Sequence, residues 1–194
     1  MNDKILNDIK NKEEIEYQNK MITKLIKEDP SILKEYPILE IEYNVDGTKK
    51  SLYSLASEKD IKSTQIKSDE NELDFKYSQN KITKEEYDKE KKLLEIKLEN
   101  QNLVYDDLIF DIINNEDIEV IKEEIKNSNL NSIDLKRLAS SLTSIAENKI
   151  SDFQKNNKDF NEENISYWNY KYDIIAKGYS KARELESYIL SLIN

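Results

Sequence analysis

The chain has 194 residues and a formal charge of -10, room for one compact domain or two tightly packed subdomains. Its 2 glycines and 2 prolines argue against sandwiches, barrels and dinucleotide-binding sheets, which place glycine at tight turns and phosphate loops. With no cysteine and no histidine, the chain lacks disulfides, thiolate chemistry, Cys- or His-based metal sites and the usual general base at neutral pH.

Hydrophobic residues make up 37% of the chain and charged residues 36%, a balance at which disorder competes with folding. Helical register decides for folding, because the isoleucines and aromatic residues recur at steps of three and four. Lys 28, Ile 26 and Asn 21 all have A/T-rich codons, so the excess of Lys and Asn carries no functional weight. No apolar run approaches the ~20 residues of a membrane span. The opening MNDKILNDIKNKEEIEY lacks the apolar core of a signal peptide. A cytoplasmic protein without membrane contact is expected.

Residues 3–28 carry Ile5, Leu6, Ile9, Ile15, Ile22, Leu25 and Ile26 as a helical stripe, which Pro30 should end. The period then shortens. Leu39, Ile41, Tyr43 and Val45 alternate, Asp46-Gly47 is a strong hairpin turn signal, and Leu52, Tyr53 and Leu55 lie beyond it. A small β-hairpin near 38–54 is expected, packed on a helix because an isolated hairpin is marginal in water. Residues 56–79 read as a polar helix with Ile61, Leu73, Phe75 and Tyr77 as contacts; residues 62–71 within it fit a loop as well.

Thr83 and Glu86 form a capping box, which starts a long helix running to about Ile113. Its seam is Tyr87, Leu94, Leu98, Tyr105, Leu108 and Ile112, the rhythm of helix–helix packing. A short helix fits 116–127. Asn131 or Ser132 can cap the next, with Leu135, Leu138, Leu142, Ile145, Ile150 and Phe153 as its stripe. The last helix, from Asn161 onward, places Ile165, Trp168, Tyr172, Ile175, Tyr179, Ala182, Ile189 and Ile193 on one seam, with Glu186 as an interruption. The expected fold is mainly α, a helical bundle with long helices and one small β-hairpin. Its regions are 1–60 (helix plus hairpin), 61–127 (acidic helical hairpin) and 128–194 (C-terminal helical hairpin).

Residues 73–94, LDFKYSQNKITKEEYDKEKKLL, resemble the short helical hairpin motif called SHOCT, an appendage of many bacterial and phage proteins. Ile82-Thr83, then Glu85-Glu86-Tyr87, then Lys91-Lys92-Leu93-Leu94 carry the likeness. The family has a glycine just before the Ile-Thr pair, where Asn80 and Lys81 stand here, and its motif is commonly terminal, whereas this second helix continues. The resemblance implies a non-catalytic interaction element over about a tenth of the chain.

Charge is unevenly spread. Residues 1–60, 61–126 and 127–194 carry -3, -7 and 0. Within 99–124, nine acids (Glu99, Asp106, Asp107, Asp111, Glu116, Asp117, Glu119, Glu123 and Glu124) stand against Lys122 alone. Asp107 and Asp111 are one helical turn apart and repel by roughly 0.2–0.5 kcal/mol, a cost without benefit to folding. The stretch reads either as an ordinary solvated face or as a surface shaped for a basic partner, where complementary fields speed encounter. In the second reading Asp106, Asp107, Asp111, Glu116, Glu119, Glu123 and Glu124 are the contact residues. The cluster Tyr167-Trp168-Asn169-Tyr170-Lys171-Tyr172 is the second feature. Trp168 and Tyr172 fall on the core seam, leaving Tyr167 and Tyr170 as an exposed pair of possible interface anchors, or as core like their neighbours.

Enzymatic readings fare worse. Asp106-Asp107-Leu108-Ile109-Phe110-Asp111 is similar to the aspartate-rich magnesium motif of helical prenyl and terpene synthases, but the spacing differs and no second motif follows. Glu13/Glu16 and Glu116/Glu119 have the spacing of helical nucleotide pyrophosphatases without a second pair. Di-iron bundles need Glu-x-x-His, and Gly47 and Gly178 stand alone, which excludes phosphate loops. The expectation is a protein with no catalytic residues, no metal and no cofactor. Two non-enzymatic functions are open. One is a small acidic antagonist of phage or mobile-element type, anti-CRISPR-like by class analogy. It would occupy the basic surface of a nucleic-acid-binding protein or nuclease without touching nucleic acid itself. The other is an assembly protein whose 83–113 and 161–193 seams join copies into a homo-oligomer.

Overall fold

The computed structural model describes residues 3–156 and 165–193, with side chains from residue 10 onward except that of Lys12. The expected core positions Ile5, Leu6 and Ile9, and the expected helix start at Asn161, lie outside the described side chains and residues. Among the described residues there are eight helices and no strand: α1 (Asp3–Glu28), α2 (Ile32–Glu35), α3 (Pro37–Glu42), α4 (Leu52–Ser78), α5 (Lys84–Asn115), α6 (Ile118–Asn127), α7 (Ser132–Asn156) and α8 (Ile165–Ser191). None of the described helices is long and apolar enough to cross a membrane.

The β-hairpin expected at 38–54 does not form. Pro37 occupies the first position of α3, where its fixed φ suits a helix and its missing N–H costs nothing. The helix sends Leu39 to a small cluster of Ile26, Leu33 and Tyr43, and Ile41 to the main core. A strand would have put both on one face. Only the turn survives: Gly47 has φ 77°, the Asp46 carboxylate accepts from the Thr48 N–H at 2.9 Å, and Tyr43 and Lys49 form a single antiparallel bridge. A Cβ at Gly47 would lie 2.6 Å from the Thr23 carbonyl, so the turn backs directly onto α1. Beyond it Leu52, Leu55 and Ala56, spaced three and four apart, enter the first turn of α4, which Ser51 caps by accepting from the Ser54 N–H at 3.2 Å.

α4 and α5 make one antiparallel helical hairpin, α7 and α8 a second, and α6 links them. Residues 62–71 are helical throughout, because Ile66 and Leu73, seven apart, are buried within α4. Ser63 bonds Asn102 at 3.2 Å. At the hairpin tip Asn80 adopts φ 52°, with Lys81 N–H bonded to the Lys76 carbonyl at 3.0 Å, a left-handed helix stop. The capping box then starts α5: Glu86 N–H donates to Thr83 Oγ1 at 3.2 Å and Thr83 N–H to Glu86 Oε2 at 2.8 Å. These bonds hold the Glu86 carboxyl below its usual range.

The main core gathers Leu52 and Leu55, Tyr105, Ile109 and Ile113, Ile121 and Ile125, Leu138, Leu142 and Ile145, and Leu185 and Ile189. Each such side chain contributes about 1.5–3 kcal/mol of burial. On α5 the expected seam holds at Tyr105, which is buried, at Leu108 and Ile112, which pack against the main core, and at Tyr87, which stacks on Tyr77 at 4.5 Å; Ile109, Phe110 and Ile113 beside it are buried as well. Asn131 caps α7, accepting from the Ile133 and Asp134 N–H groups at 2.9 and 3.0 Å. On α8 the buried line is Gly178, Ala182, Leu185 and Ile189. Its expected member Tyr172 is 45% exposed.

Candidate functional site: the acidic face of α5 and α6

The acids that stand together in the sequence do not share one environment. Asp106 pairs with Lys59 of α4, and Asp107 with Lys149 of α7. These two bases, 47 and 42 positions away, halve the excess on the α5 part of the stretch. Asp111 is exposed and engaged, and its charge helps burial hold the Glu42 carboxyl above the ordinary range against the opposing pull of Lys49.

Across the α5–α6 junction the pattern changes. Glu116 closes α5, and Asp117 caps α6 by accepting from the Glu119 N–H at 2.9 Å. Lys181 of α8 donates to the Glu116 carbonyl at 2.6 Å and the Asn114 carbonyl at 3.3 Å, placing a cation on the negative end of the α5 dipole. Burial, with Lys177 nearby, lowers the Lys181 pKa. Lys122 donates to Glu119 and Glu184, both at 2.7 Å, and these bonds raise its pKa. Glu123 accepts from the Asn127 amide at 3.4 Å. The Glu124 carboxyl is pushed up by burial and then by Glu116. Glu116, Glu123 and Glu124 are all exposed, and the Glu116 charge opposes that of Glu124.

The aromatic residues are arranged differently from the expectation. Tyr167 and Tyr170 are both half-buried, not an exposed flat pair. Tyr167 meets the Trp168 ring edge-on at 5.6 Å and carries Lys171 over its face at 5.5 Å, while Phe153 of α7 packs on Trp168 at 5.5 Å. Tyr172 is the exposed ring. Seventeen residues of α8 separate Tyr167 from Glu184, about 25 Å of helix, so the aromatic cluster and the α6 acids belong to different ends of the molecule.

Sequence reading missed the compensating lysines, Lys59, Lys149 and Lys181, because nothing local marks a partner 42–65 positions away. It also missed a groove of about 500 Å³ between α4 and α7, lined among others by Tyr53, Asp60, Ile61, Thr64 and Arg137. Arg137 there faces Asp134 of its own helix at 3.8 Å. Among the described residues no group of three carboxylates is placed to hold a metal ion. Comparison with protein-family models, with curated proteins and with solved structures finds no match.

Proposed function

We propose that the chain is a non-catalytic protein-binding module whose α6 edge, Glu116, Glu119, Glu123 and Glu124, docks on a basic surface of a larger partner. A nucleic-acid-handling protein is the class whose groove carries such a surface. The observation that carries this reading is the opposition of Glu116 and Glu124: burial and the Glu116 charge push the Glu124 carboxyl up, and although Lys181 lies beside Glu116, an external cation at Glu124 relieves that cost. Asp106, Asp107 and Glu119 contribute less, since Lys59, Lys149 and Lys122 already pair with them. Asp111 flanks the edge. Tyr167 and Tyr170 lie too far along α8 to share one small interface with it. As an antagonist of phage or mobile-element type, the protein acts by covering the partner's groove. The SHOCT-like tip at 73–94 is a second interaction element of the same module.

The test is affinity capture with the wild-type chain and with a variant carrying Glu116→Lys, Glu119→Lys, Glu123→Lys and Glu124→Lys. The expected result is a set of basic nucleic-acid-binding proteins retained by the wild type, absent with the variant, and released as ionic strength rises well above about 0.15 M, where the Debye length falls below about 8 Å. An identical set captured by both proteins overturns the proposal.

A further inference from the structure

The two seams that suggested assembly are consumed inside the chain: α5 packs on α4 and α8, and α8 on α7. α1 is among the described helices that keep apolar residues exposed. Its inner side docks on its own chain through Ile22 and Ile26, with Tyr43 Oη donating to Asn19 Oδ1 at 3.0 Å. Its outer side bears Tyr17, Met21 and Leu25, which are 65, 44 and 46% exposed.

Around Tyr17 and Met21 the outer side has an ordered pattern. Lys10, Glu14, Tyr17, Met21, Lys24 and Glu28 follow steps of four and three, a heptad seam, and at 100° per residue all six fall within about 80° of arc. All are exposed, and the pairing Lys24 makes within the helix, with Glu28 at 3.9 Å, is a weak surface contact. When a second α1 is laid antiparallel so that Tyr17 meets Met21 of the copy, Glu14 meets Lys24 and Lys10 meets Glu28. Every charge finds its opposite. In a parallel pair each charge would meet its own kind. The seam is therefore complementary to itself, in one orientation only.

We infer that this face of α1 joins two copies of the chain as an antiparallel helix pair, Tyr17 and Met21 forming its apolar centre and Glu14–Lys24 and Lys10–Glu28 its flanking charges. A shallow crossing of about 20° keeps the whole seam in contact. With so few apolar residues the association is weak, on the order of 0.01–1 mM.

Sedimentation equilibrium between about 10 µM and 1 mM tests the proposal. The wild type is expected to pass from monomer to dimer. Glu14→Lys turns two symmetry-related attractions into repulsions and weakens the dimer about tenfold. Adding Lys24→Glu in the same chain restores it to within about threefold of wild type. Positions 14 and 24 are about 15 Å apart along one helix, so this rescue arises only between chains. Met21→Glu removes the dimer. Far-ultraviolet circular dichroism establishes that each variant keeps its helix content. A monomer at every concentration overturns the proposal and leaves the face to a different protein. A dimer indifferent to Met21→Glu, or a double variant no tighter than Glu14→Lys alone, overturns it as well.

Discussion

Lys59 of α4 and Asp106 of α5 form an ion pair whose side chains are only 16 and 17% exposed, the most enclosed of the contacts that tie the acidic stretch to the bundle. An exposed pair contributes about 0–1 kcal/mol, whereas removing one member of a buried pair costs about 3–5 kcal/mol because the other charge is stranded. This pair lies between those limits. Asp106→Ala is therefore expected to lower stability by about 2 kcal/mol in urea unfolding. Lys59→Met combined with Asp106→Leu should recover most of that loss. A double variant as unstable as Asp106→Ala would mean that the charges themselves, not the stranded lysine, hold the hairpin.

At Gly178 α8 packs tightly against α5. A Cβ there would lie 2.6 Å from Phe110 Cζ and 2.5 Å from Asn114 Oδ1. Alanine gains about 1 kcal/mol of helix propensity over glycine, and overpacking a buried ring costs about 1–3 kcal/mol. The ring wins, since Phe110 is buried in the main core and has little room to yield. Gly178→Ala should destabilise the protein by about 1 kcal/mol, and Phe110→Leu in the same chain should cost less than it does alone. A more stable Gly178→Ala protein, judged by its urea midpoint, would show that the two helices can separate at this crossing.

The contrast between these two sites and the caps shows what the sequence made legible. The Thr83–Glu86 box and the Asn131 cap are interactions within three residues, and both could be read before any fold was known. The spacing placed α1 over 3–28 and the start of α7 at Asn131, although Ile15 and Leu25 of the expected α1 stripe are exposed. The 38–54 segment misled because alternation over eight residues also fits a six-residue helix followed by a tight turn. Pro37, and the three-four spacing of Leu52, Leu55 and Ala56, were the local signs of helix. In the candidate site the acids were visible, but their pairing was not. Lys149 faces Asp107 only once α7 has packed on α5.

Tyr43 sets the alkaline limit of the N-terminal cluster. Its hydroxyl is buried beside Glu42 and donates to Asn19, and burial followed by the Glu42 charge pushes its pKa up to about 12. In the unfolded chain a tyrosine titrates near 10. Between these values the unfolded state binds fewer protons than the folded one, so stability is intact below pH 10 and falls as pH rises, by about 1.4 kcal/mol per unit. Tyr43→Phe loses the bond to Asn19, about 1 kcal/mol, and also loses this slope. The variant should be the less stable protein at pH 8 and draw level with wild type near pH 11. Urea midpoints measured across that range that stay parallel would remove Tyr43 from the alkaline transition.

Glu124 connects stability to the proposed function. Burial and the charge of Glu116 raise its carboxyl pKa, so the folded state takes up protons more readily there than the unfolded chain does. The sign follows directly: ionised Glu124 opposes folding at neutral pH, and the opposition vanishes as pH falls below the unfolded carboxyl value of about 4.3. Because the side chain is largely solvated, Glu124→Gln should gain only about 0.2–0.5 kcal/mol at pH 7 and nothing at about pH 3.5. The same substitution should weaken any basic partner that the α6 edge holds, most at low salt. A carboxylate that costs stability and adds to binding has a reason to be where it is. If Glu124→Gln is less stable than wild type at pH 7, the repulsion with Glu116 is not the governing interaction, and the case for an external cation at this edge loses its support.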